Sequence, residues 1–207
     1  MLHWRRGSGF AVKSCTILPI RDRACIIVTE TPRTTAAVPG AIATRAETPM
    51  SKSLKILVGT MTGTAELVAE EVSDVLSGLG WDVEILLMDD LGAEAFETDK
   101  VYLICSSTYG QGDVPDNGQS FLEALKEQKP DLSGVRYGVI ALGDMTYAQT
   151  FCFGGKTFDK ELTALGAARI GEMMLHNASD GTLPEDEAGA WAQDWANEVS
   201  AALDKAA

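Results

Sequence analysis

Three nearly unbroken apolar runs punctuate the chain, each closed by small residues: Leu54–Val58 before Gly59, Val101–Cys105 before a pair of serines, and Tyr137–Leu142 before Gly143. Runs without polar alternation suit strands covered on both faces, as in a parallel sheet. Val83–Leu87 and Arg169–Leu175 are further strand candidates. Between them the period turns helical. Val68, Val72, Val75 and Leu79 recur at steps of four, three and four, with Glu66, Glu70, Glu71 and Asp74 mostly on other faces. Phe121, Leu122 and Leu125 predict a second helix ending near Pro130, and Phe158, Leu162 and Leu165 a third. Trp191, Trp195 and Val199 predict the buried stripe of a C-terminal helix, with both tryptophans in the core.

Strands alternating with helices over residues 50–207 predict an α/β fold of three layers, a doubly wound parallel sheet between helices. Ligands of such folds sit beyond the carboxyl ends of the strands. The loops that follow each strand are therefore where chemistry is expected.

Residues 1–49 read differently. They hold four prolines and a Thr/Ala-rich run, Thr29–Thr48, and their longest apolar cluster is Ala24–Val28, too short for the core of a secretory signal. Three readings stand: an Arg-rich organelle leader, a flexible tail for some partner, or a stretch with no functional part, the working start being Met50. The expectation is an N-terminal extension, disordered or upstream of the true start, followed by one domain over 50–207. Charge breaks at the same place. Residues 1–49 carry seven basic and three acidic side chains, residues 50–207 ten basic and 27 acidic, and the whole chain has a net charge of −13.

That acidic balance argues against a nucleic-acid surface or an anionic membrane face, both of which reward Lys and Arg. No stretch approaches the ~20 apolar residues of a bilayer span, so a soluble, cytoplasmic protein is expected. The four cysteines, Cys15, Cys25, Cys105 and Cys152, form no CxxC, and only His3 and His176 could assist a metal. Reduced thiols and no metal site are expected.

The first run is followed by Gly59-Thr60-Met61-Thr62-Gly63-Thr64-Ala65-Glu66, which opens directly into a helix. Three hydroxyls and free N–H groups at a helix N-terminus make an anion site. Neither GxxxxGK[ST] nor GxGxxG is present, so the loop suits a terminal monophosphate. An ordinary threonine-capped helix start is the alternative. The next run leads into Ser107-Thr108-Tyr109-Gly110-Gln111-Gly112-Asp113, then Pro115-Asp116-Asn117, an aromatic among glycines that permit close approach. After Leu142 come Gly143-Asp144-Met145-Thr146-Tyr147, with Phe151-Cys152 close behind. Two aromatic loops beside a phosphate loop describe a pocket for a planar ring with a phosphate tail.

These residues resemble the flavodoxin-like FMN-binding family across 54–203. Thr60–Glu66 is similar to the TxTGTAE phosphate loop of the FMN domains of diflavin reductases. Ser107–Asp113 with Pro115-Asp116-Asn117 is similar to their STYGxGDxPDN loop, and Leu142–Tyr147 with Phe151-Cys152 and Gly155-Lys156 to their LGDxxYxxFCxxGK segment. Glu123–Ser133 and Leu183–Asp186 read very like stand-alone MioC-type flavodoxins. Two departures stand out. Three residues (Ala148, Gln149, Thr150) separate Tyr147 from Phe151 where the family pattern usually has two, and His176–Asp180 replaces an acidic cluster, so no role is carried onto it.

The resemblance implies a five-stranded sheet of order 2-1-3-4-5 and FMN as cofactor. It implies that Thr60, Met61, Thr62, Gly63, Thr64 and Ala65 hold the phosphate and that Tyr109 and Tyr147 sandwich the ring, with Gly110 near its N5. Ser107, Thr108, Gly112, Asp113, Leu142, Gly143, Asp144, Phe151 and Cys152 complete the expected binding set, and Cys152 is expected to pack rather than to react. No catalytic residue of the chain's own is expected. The implied role is a monomeric carrier that passes single electrons from a flavin reductase to an acceptor enzyme. An FMN-dependent NAD(P)H:quinone reductase is the alternative, though no insertion in the sequence builds an obvious pocket for a quinone.

Overall fold

The computed structural model describes residues 52–98 and 100–205, so the readings made on residues 1–49 lie outside the described residues. Six strand segments run parallel: β1 (Ser53–Gly59), β2 (Asp82–Leu87), β3 (Val101–Ser106), β4 (Arg136–Gly143), β5 (Ala168–Arg169) and β6 (Met174–Asn177). The order is β2-β1-β3-β4-β5, and β6 also pairs with β4. Four helices cover the sheet: α1 (Thr64–Gly78), α2 (Asp116–Gln128), α3 (Phe153–Ala164) and α4 (Pro184–Asp204).

The apolar runs lie where both sheet faces are covered. Every residue of β3 is buried, and strand alternation sends Val101, Leu103 and Cys105 to one face and Tyr102 and Ile104 to the other. The first face packs Ile56, Leu103 and Ile140 against Val68, Val72 and Leu76 of α1 and Trp195 and Val199 of α4. The second packs Leu57, Ile104 and Val139 against Phe121 and Leu125 of α2 and Phe158 and Leu162 of α3. Burying a side chain of this size stabilises by roughly 1.5–3 kcal/mol.

The expected fifth strand, Arg169–Leu175, is two pieces. Ala168 and Arg169 pair with Arg136 and Tyr137; pairing resumes at Met174 beside Ile140. Gly171, at φ 72°, turns the chain out of the ladder between them. The buried face of α1 also differs from the expected stripe. It comprises Ala65, Val68, Ala69, Val72 and Leu76, while Leu79 lies past the end of the helix and is exposed. Trp195 is buried, its Nε1–H donating to the Ile170 carbonyl at 2.9 Å. Trp191 is only half-buried and stacks on it with ring centroids 5.3 Å apart. Among the described residues no helix is long and apolar enough to cross a membrane.

Candidate functional site

The carboxyl ends of β1, β3, β4 and β6 open on one cavity of about 590 Å³. Thr62, Thr64, Ser107, Thr108, Tyr109, Gly110, Leu142, Gly143, Asp144 and Tyr147 line it, and all ten were expected from the three loops. The volume lies within the range of small-molecule sites.

The first loop is shaped from inside. The Thr60 N–H donates to Asn117 Oδ1 at 2.8 Å, and the Thr60 hydroxyl accepts from the Gly63 N–H at 2.9 Å. Gly63, at φ 86°, is the N-cap of α1, and no side chain caps that helix. Uncapped first-turn N–H groups at the positive end of a helix dipole are available to an anion. Thr62 and Thr64 bring hydroxyls 3.4 Å apart to the same place.

The second loop closes on itself. Tyr109 and Asp113 exchange backbone hydrogen bonds of 2.9 and 2.8 Å, a turn that needs Gly110 at φ 57° and Gly112 at φ 101°. It leaves Tyr109 52% exposed. The third loop leaves Tyr147 66% exposed, the larger of two uncovered aromatic faces at the cavity. Exposed aromatic rings on one cavity are suited to stacking on a planar ligand. The Ser179 hydroxyl and Thr146 donate to Asp144, which holds its carboxyl below the usual carboxylate range, so it stays ionised at neutral pH.

The other expected residues do not line the cavity. Thr60 and Gly63 shape the first loop, and the Met61 sulfur accepts from the Asp116 N–H at 3.4 Å. Ala65 is buried, its carbonyl accepting from the Cys105 thiol. Gly112 lies against Thr150, where an added Cβ would fall 2.9 Å from the threonine Cβ. Asp113 holds the turn, and Phe151 packs under the Lys156 ammonium, 5.2 Å from its ring centroid. Cys152 is buried, donates to the Ala141 carbonyl, and has its thiol pushed up to about 11 by burial. Such a thiol is unreactive at neutral pH.

Five lining residues were not foreseen: Thr150, His176, Ala178, Thr182 and Pro184. Thr150 belongs to the three-residue spacer after Tyr147. The others come from the end of β6 and the entry to α4, where the one available signal was a histidine at the carboxyl end of a strand.

Comparison with known proteins agrees with this fold. The family model described as flavodoxin matches residues 56–191. Protein MioC of Escherichia coli (strain K12) is 41% identical over 147 residues, which is 70% of this chain and 96% of that protein. NADPH–cytochrome P450 reductase of Bos taurus is 39% identical over 140 residues, 65% of this chain and 20% of that protein. A solved structure, a cysteine-to-alanine mutant of flavodoxin from Pseudomonas aeruginosa, superposes with a TM-score of 0.63 at 31% identity, covering 72% of this chain and 99% of that one. The chain belongs to the flavodoxin family, whose members bind FMN and carry electrons.

Proposed function

We propose that residues 50–207 bind FMN in this cavity and carry electrons singly, in the cytoplasm, from a flavin reductase to an acceptor enzyme. One observation carries the reading: the exposed rings of Tyr109 and Tyr147 share a cavity with the uncapped start of α1 and its Thr62 and Thr64 hydroxyls. A planar ring with a phosphate tail fits that donor set. The hydroxyls and first-turn amides would hold the phosphate, with Thr60, Met61, Gly63 and Ala65 setting the loop's shape, and the two tyrosines would cover the ring. FMN, when bound, supplies the redox chemistry.

The chain's own residues set the electrostatics. Asp144, kept ionised beside the cavity, disfavours further negative charge there. The acidic excess of residues 50–207 would steer the domain toward a basic docking face on a partner. The test is titration of the flavin-stripped chain with FMN, followed by flavin fluorescence: quenching that saturates at one FMN per chain is expected, and no quenching overturns the reading.

A specific feature favours the second reading, an NAD(P)H:quinone reductase. A neighbouring cavity of about 550 Å³ is lined by Gly110, Gln111 and residues 146–150, sharing Gly110, Tyr147 and Thr150 with the first. The extra spacer residue helps to build it. Turnover of NADPH and a quinone with no added reductase would establish that activity, and its absence leaves the carrier.

A further inference from the structure

His176 is placed with more care than the three loops require. It stands on β6 beside Leu142 of β4, lines the cavity, and has a side chain only 4% exposed. Nδ1 lies 2.8 Å from Glu187 Oε2 on α4. Hydrogen bonds from Thr182 and His176 hold the Glu187 carboxyl below the usual range. An ionised carboxylate only accepts, so Nδ1 carries its hydrogen whether the ring is neutral or charged. The remaining nitrogen, Nε2, has no hydrogen-bond partner among the described residues. It is where the ring can gain or lose a proton.

The surroundings of the ring are acidic. No Lys or Arg lines the cavity; the other titratable groups there are Asp144, Tyr109 and Tyr147. Glu187 stands behind the ring on α4, and at the start of α3 the Cys152 sulfur lies 3.6 Å from the His176 carbonyl. His176 is therefore the only side chain lining the cavity that can become positive. A ligand with a doubly charged phosphate, entering a cavity that already holds the Asp144 carboxylate, gains most from a cation at that place.

We propose that His176, oriented by Glu187, is a proton-taking contact of the cavity: an FMN-class phosphate ester binds with uptake of a solvent proton at Nε2, which then donates to the ligand. The inference rests on the FMN reading of the cavity given above. By linkage, a ligand that prefers the protonated ring binds more tightly as pH falls.

The test is calorimetric titration of FMN into the flavin-stripped full chain, in buffers of different ionisation enthalpy. Measurements at about pH 7 to 8.5 keep the phosphate doubly charged, its second ionisation lying near 6. Wild type is expected to take up about half to one proton per FMN, with affinity rising about sixfold to thirtyfold from the top of that range to the bottom. His176→Gln should still bind FMN but take up none, with affinity flat across the range. Glu187→Gln, which loses the ionised partner, should take up fewer protons than wild type.

Zero uptake by wild type, or equal uptake by His176→Gln, would overturn the inference. No heat of binding for any protein would overturn the FMN reading itself, and this inference with it. Should His176→Gln fail to fold, the imidazole resonances of wild type decide, since the chain has only two histidines. A titration moved to higher pH by FMN supports the contact, and one left unmoved refutes it.

Discussion

Gly143 is the point where the fold leaves no room and the cavity begins. A Cβ built there would lie 2.6 Å from the backbone nitrogen of Cys152, 3.0 Å from its sulfur and 3.1 Å from a Phe151 ring carbon. The nearest of these atoms is backbone, so no side-chain rotation relieves the contact. Cys152 is itself pinned, at φ 58°, with its thiol donating to the Ala141 carbonyl at 3.2 Å. Behind it, Gly155 comes so close to β4 that an added Cβ would meet the Ala141 Cβ at 2.5 Å. In Gly143→Ala the segment carrying Asp144 and Tyr147 has to move instead.

Overpacking of this kind costs about 1–3 kcal/mol, or about 2–12 °C in Tm for a domain of this size. If FMN stacks on Tyr147 as proposed, displacing that ring also forfeits an aromatic contact worth about 0.5–1.5 kcal/mol, which is roughly 2- to 13-fold in FMN affinity. Gly78→Ala is the control. Nothing lies within 4 Å of a Cβ at Gly78, the last residue of α1, so the change should be neutral or stabilise by up to about 1 kcal/mol. Circular-dichroism melts of the flavin-stripped proteins give the stability arm, and quenching of flavin fluorescence gives the affinity arm. A Gly143→Ala protein as stable as Gly78→Ala, within about 0.5 kcal/mol, would refute the steric argument.

Tyr109→Ala and Tyr147→Ala should each weaken FMN binding about 2- to 13-fold while leaving the apoprotein melt nearly unchanged, because both rings are largely exposed; a large drop in Tm with unchanged affinity would make them structural. The Cys105 thiol is pushed up to about 12 and that of Cys152 to about 11, both by burial. Peptide mapping after alkylation of native protein near pH 8 should find both unmodified, and modified after denaturation. The Asp144 and Glu187 carboxyls are held below their usual range by hydrogen bonds to the charged form. A depressed folded value contributes stability that is complete above the unfolded value of roughly 4 and is lost as pH falls through the folded one. Asp144→Asn should therefore flatten the decline of Tm below about pH 4, and an unchanged acid limb would count against those hydrogen bonds.

The sheet was legible because its strands are covered on both faces, which writes them as apolar runs. β1, β3 and β4 begin and end within a residue or so of Leu54–Val58, Val101–Cys105 and Tyr137–Leu142. Arg169–Leu175 also looked like one strand, but a glycine can sit in an extended run or turn the chain out of it, and Gly171 does the second. On α1 the apolar period ran past the helix end, so Leu79 counted toward a stripe it does not join. The loops announced themselves through residue types that serve chemistry better than packing: clustered hydroxyls, aromatics among glycines, an acid after a strand. Thr182 and Pro184 had no such local sign, and His176 had only that of a lone histidine near a strand end. They reach the cavity because β6 pairs with β4 in one register and α4 then starts beside it, a long-range arrangement that no window of sequence contains.

The most direct measurement is the visible spectrum of the full chain, loaded with FMN and reduced stepwise with dithionite. Carriage of single electrons predicts bound flavin whose reduction resolves into two successive one-electron steps. Bound flavin that takes both electrons in one step, or a chain that stays colourless after incubation with FMN, would contradict it.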